Sequence, residues 1–171
     1  MKAVARLLDL LLLYVFFVVS LGGAGPSDAS PHFSDYPAEP LFAGKPATPI
    51  LSSKLQRSFR TQIRLGLKRG PNFAGRYRII QWGCGSNCMV FVVADVKTGH
   101  VYDPPFRSLW LLDLSQREGS RERRGLEFKP SSRLLIVDGC PGESCGTYYY
   151  EWVGSEFKLI RSVNKRTGNG N

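Results

Sequence analysis

A chain of 171 residues has room for one ordinary domain. Its 23 basic residues outnumber its 14 acidic ones, for a formal charge of +9. That sign favours anionic lipids, envelope polymers or acidic proteins as partners, although it also serves solubility alone.

Met1–Leu21 opens with Lys2 and Arg6 and runs into the charge-free apolar stretch Leu10–Val19, followed by the small residues Gly22-Gly23-Ala24. That stretch is shorter than the roughly 20 residues a membrane-spanning helix needs. Residues 1–24 therefore read as a cleaved secretory signal, with a second cleavage option after Ala29. An exported chain, periplasmic or secreted, keeps no transmembrane span once this segment is gone. Removing it lowers the formal charge to +8, because Lys2, Arg6 and Asp9 leave together.

Residues 25–50 carry six prolines: Pro26, Pro31, Pro37, Pro40, Pro46 and Pro49. Proline cannot donate to a ladder, so this is a linker or an arm laid over the domain, for the most part poorly ordered. Phe33, Tyr36, Leu41 and Phe42 are the residues that can pin it.

From Leu51 to Arg69 the pattern becomes helical. Leu51, Leu55, Phe59 and Ile63 recur every four residues, with Lys54, Arg57, Arg60, Arg64 and Lys68 opposite them. Ser52 or Ser53 can cap the start, and Gly66 or Gly70 with Pro71 the end. The basic stripe is a candidate face for an anionic partner. The structural alternative is a helix docked through Leu55, Phe59 and Ile63 with its charges in water.

Short strands fill the rest. Arg76–Trp82 alternates, and Cys88–Val96 is apolar on both faces, as in a strand covered on both sides. Asp95–His100 forms a turn in which Gly99 supplies positive φ. His100–Asp103, Ser108–Leu114, Leu126–Lys129, Arg133–Asp138, Thr147–Val153 and Glu156–Ser162 follow, with a charged loop at Ser115–Gly125 and a polar, disordered tail from Asn164 to Asn171. About seven or eight antiparallel strands with one amphipathic helix packed on them make a mainly β (α+β) domain over residues 51–163. A meander, an open barrel or a small sandwich would each satisfy the pattern.

Cys84, Cys88, Cys140 and Cys145 form an even set in an oxidising compartment, which points to disulfides. Their C-x3-C and C-x4-C spacings do not suit a finger-like metal site, and no cofactor is expected. Of three pairings, Cys84–Cys88 with Cys140–Cys145 is favoured. Each intervening turn can bring two Cα atoms within the about 4.4–6.8 Å that a bridge needs. The loop tips so held are where a partner would be met.

From Gly70 to Cys88 the chain resembles a family of uncharacterised bacterial exported proteins. In that family a basic helix precedes GPNFAG-x-Y and then WGCG-x-x-C. The matching residues are Gly70, Pro71, Asn72, Phe73, Ala74, Gly75, Tyr77, Trp82, Gly83, Cys84, Gly85 and Cys88. The turn at Thr98-Gly99 and the tyrosine-rich strand at Thr147–Trp152 extend the likeness over roughly residues 55–161. It implies export and a shared fold, and no activity.

Catalytic patterns are weak. His32 and His100 have no free thiol to activate, because the cysteines sit in close pairs. Asp95, Asp103, Asp138, Glu143 and Glu151 are carboxylates of turns and strand ends, and a glycosidase would need two of them converging in one cavity. The aromatics, Trp110 and Tyr148 among them, read chiefly as sheet core. The expectation is an exported non-catalytic module that binds an envelope component or a protein, inhibitor-like in character; nothing in the pattern points to nucleic acid. The alternative is a hydrolase of envelope polymers, which carboxylates or His100 gathered in a pocket would favour.

Overall fold

The computed structural model describes residues 29–111 and 125–164. The expected signal at residues 1–24 lies outside the described residues, as do most of the expected charged loop and residues 165–171. The chain divides into two compact units, Met1–Ser30 and Pro31–Asn171, and every element named below belongs to the second. Among the described residues no helix is long and apolar enough to cross a membrane.

The fold is mainly β, with eight strands in two antiparallel sheets among the described residues. In the first sheet, β1 (Tyr77–Gly85) pairs with β2 (Cys88–Asp95), and β2 also pairs with the short β3 (Val101–Tyr102) and β4 (Leu109–Trp110). The second sheet runs β5 (Gly125–Phe128), β6 (Leu134–Gly139), β7 (Gly146–Trp152) and β8 (Phe157–Asn164) in sequence order. Asn164 thus belongs to the last strand and not to a polar tail.

Alternation sorts the side chains into layers. Ile79, Phe91 and Val93 of the first sheet meet Leu135, Val137, Tyr150 and Trp152 of the second in one core. On the outer face of the first sheet Ile80, Val92 and Ala94 lie under Ile63 and Leu67. On the outer face of the second, Leu134, Ile136 and Tyr149 lie under Phe33 and Tyr36. The nearly all-apolar β2 is buried on both faces from Val90 onward, as its hydrophobic run led one to expect.

The residues between Leu51 and Arg69 do not form one continuous helix. They form α1 (Lys54–Ser58) and α2 (Arg60–Leu67), separated at Phe59, whose φ of −109° and ψ of 26° leave the helical region. Hydrogen bonds from Phe59 N–H to Leu55 and from Ile63 N–H to Phe59 keep the two in succession, each 3.1 Å long. At the break the Phe59 ring lies 4.6 Å from that of Trp82. Ile63 and Leu67 are the fully buried anchors, while Leu55 and Phe59 are only half-buried. Phe59→Ala should therefore cost about 1–2 kcal/mol, below the about 3–5 kcal/mol of a fully buried phenylalanine. A urea melt checks this, and a loss in the upper range would place Phe59 in the core proper.

The proline-rich segment is an arm with regular seating from Pro31 onward, not a poorly ordered linker. Its non-proline amides do the pairing: Ala38 donates to Ser131, Phe42 to Gly75, Ala47 to Val96 and Ile50 to Gly99, at 2.8–3.0 Å. Phe33 and Tyr36 pack on the second sheet and Phe42 on the first. Leu41, expected to help pin the arm, is exposed.

Candidate interaction surface

Both disulfides are local. Cys84–Cys88 closes the β1–β2 hairpin with Cα atoms 5.1 Å apart, and Cys140–Cys145 closes the β6–β7 turn with Cα atoms 4.1 Å apart. The strand β4 lies between these tips and joins them. Trp110 is the register partner of Cys88 on one side. On the other it exchanges backbone hydrogen bonds with Cys140, at 3.2 and 2.8 Å. Leu111 N–H donates to Asn87 within the first tip at 2.7 Å. Gly139 permits this approach, since a Cβ there would stand 2.6 Å from the Trp110 carbonyl oxygen. The indole of Trp110, expected in the sheet core, is 54% exposed. An exposed tryptophan therefore sits between two disulfide-closed tips.

A groove of about 570 Å³ opens between α1 and the segment Asp103–Arg107. Leu55, Phe59, Pro104 and Phe106 give it apolar walls, and Lys54 and Arg107 stand at it with positive charge. Gln56, 2% exposed, holds the two sides together. Its Nε2 donates to the Val101 carbonyl at 3.1 Å and to Asp103 Oδ1 at 2.9 Å. Its Oε1 accepts from Ser52 N–H at 2.8 Å, and Ser53 Oγ accepts from Gln56 N–H in a capping box. The spacing Ser53-x-x-Gln56 carries that signal in the sequence, although Gln56 was not singled out there. Phe106 is fixed from behind by the rings of Phe91 and Tyr150, 5.6 and 6.3 Å away. Such a groove is ordered before anything enters it.

Lys54, Arg57, Arg60 and Arg64 are exposed on two successive helices, and Lys68 is exposed just after the second. Arg57 donates to the Ser52 carbonyl at 2.7 Å. Lys54 is the member of the set that lines the groove, where Arg107, not among the expected residues, joins it. No ion pair neutralises any of the five among the described residues.

The carboxylates hold structural posts. Asp95 is buried, accepts from the Lys97 and Thr98 amides at 2.9 and 3.2 Å, and lies 3.2 Å from Arg76 Nε. Burial works to lower the Arg76 pKa, but the Tyr77 hydroxyl and the charges of Asp95 and Glu39 outweigh it and the pKa is raised. Glu151 pairs with Arg133, and Asp103 is the one carboxylate among the described residues lining the groove. Glu143 and His32 are exposed, as is His100, whose Nδ1 lies 3.1 Å from Thr98 Oγ1. Among the described residues, Asp95, Glu143, Glu151 and His100 do not line the groove with Asp103. Compared with protein-family models, curated proteins and solved structures, the chain matches none.

Proposed function

We propose that the protein is an exported, non-catalytic binding module, periplasmic or secreted, whose partner is an envelope component or another protein. Kinship with the exported GPNFAG-x-Y…WGCG-x-x-C proteins is part of the same proposal. The observation that carries it is Trp110, exposed between two disulfide-closed tips. Tips tied by short bridges lose little conformational freedom on association, so contact energy is not spent on ordering them. Exposed tryptophan is the residue type most often found at the centre of binding energy. The groove beside Lys54 and Arg107, with the basic residues of α1 and α2, favours an anionic partner.

The test is co-sedimentation of the mature chain with an isolated envelope fraction. Trp110→Ala should weaken binding by about tenfold or more and leave the melt nearly unchanged, because the side chain is exposed. The double variant Lys54→Glu with Arg107→Glu should weaken binding further at low salt, with little added effect near about 1 M salt, where such charges are screened within about 3 Å. Wild-type binding by the Trp110 variant would overturn the proposal.

A further inference from the structure

Half-buried arginines are expensive without a counter-charge. Two of those in this fold have one. Arg76 lies 3.2 Å from Asp95 and 3.9 Å from Glu39, and Arg133 pairs with Glu151. Arg78, half-buried on β1, is different. Its Nη1 donates to the Gly70 carbonyl at 2.7 Å, and among the described residues no acidic side chain pairs with it. The charge that reaches it is another positive one, Arg69. Burial and, after it, Arg69 both hold the Arg78 pKa below the usual guanidinium value.

Arg69 and Arg78 line one cleft of about 200 Å³, between the end of α2, the turn after it and β1. The turn is firmly built. Asn72 accepts from Ile79 N–H at 2.8 Å and donates to the Ile79 carbonyl at 3.1 Å, while Gly70 takes a φ of +76°. With its amide engaged at both ends, Asn72 fixes the cleft wall, and the two guanidiniums supply the free donors. Two like charges brought to one cleft by different elements, with no acidic partner among the described residues, suit an oxyanion ligand.

We propose that this cleft binds a phosphoryl group, or a tetrahedral oxyanion like it, between Arg69 and Arg78. A guanidinium carries five N–H donors, so Arg78 can keep the Gly70 carbonyl and still present a fork to the anion. The site is independent of the Trp110 surface, and its failure would leave that reading untouched.

The experiment titrates the folded, oxidised chain with inorganic phosphate against chloride at constant ionic strength, read by amide and arginine NMR shifts. Saturable shifts confined to Arg69, Gly70, Asn72 and Arg78 are expected by about 20 mM. Arg69→Ala, at an exposed position, should raise the apparent Kd by about tenfold with an unchanged melt, and Arg78→Lys should do likewise by removing the fork. If phosphate fails but phosphatidylglycerol vesicles bind in a manner that depends on Arg69, the oxyanion site stands and its phosphoryl group belongs to a lipid. If neither binds, or if Arg69→Ala responds as wild type does, Arg78 merely caps Gly70 and the proposal is wrong.

Discussion

Replacing Trp152 with alanine is expected to remove about 3–5 kcal/mol of stability, the usual loss for a fully buried large aromatic. The side chain is 1% exposed and stands where the two sheets meet. Its ring touches Tyr77 at 5.2 Å and Tyr102 at 5.4 Å from the first sheet, and Phe157 at 4.8 Å from the second. Phe73, from the turn before β1, adds a fourth contact at 6.4 Å. Truncation would leave a void bounded by rings that cannot all move inward, so the cavity term adds to the lost transfer energy. The indole N–H is buried and donates to no acceptor among the described residues. Trp152→Phe should therefore cost much less than Trp152→Ala, because it keeps an aromatic in place and sheds an unsatisfied donor. Urea unfolding would show the alanine variant with a lower midpoint and an unchanged slope. A loss below about 1 kcal/mol would mean that the sheets do not share this core.

What the sequence made legible depends on how local the deciding interaction is. The apolar run of β2, the alternation in β1, the Gly99 turn and both short disulfides are decided within about ten residues. Each was readable. The arm was half-readable, since its prolines forbid a ladder without saying that Ala38, Phe42, Ala47 and Ile50 find carbonyls far along the chain. The break at Phe59 coincides with the contact to Trp82, which no helical periodicity encodes. Trp110 misled for a similar reason. In an apolar run tryptophan reads as core, but β4 is a two-residue bridge between the sheets' ends that leaves its indole outside. The arginine cleft was invisible, because counting charges does not show which of them find a partner. The basic stripe was seen, but not that Lys54 would stand at a groove with Arg107, some fifty positions away.

Gly99→Ala should destabilise the fold through the arm, and a second glycine supplies the control. Gly99 and Gly154 both adopt positive φ, +85° and +90°, so alanine at either strains the backbone by about 1–2 kcal/mol. Their surroundings differ. A Cβ at Gly154 meets nothing within 4 Å, whereas one at Gly99 would run into the Thr48 carbonyl of the arm. The arm must then lift, and it is held there by Ile50 N–H on the Gly99 carbonyl at 2.8 Å and Ala47 N–H on the Val96 carbonyl at 3.0 Å. At about 1 kcal/mol for each bond, Gly99→Ala should cost about 2 kcal/mol more than Gly154→Ala. Hydrogen exchange locates the damage: the amides of Ala47 and Ile50 should exchange faster in the Gly99 variant and at the wild-type rate, relative to global stability, in the Gly154 variant. Because Leu51, Leu55 and Phe42 pack in the same outer cluster as Ile63 and Leu67, a lifted arm should also loosen α1 and the groove it borders. Equal losses in the two variants, with Ala47 and Ile50 still protected, would show that the arm does not depend on its seat at Gly99.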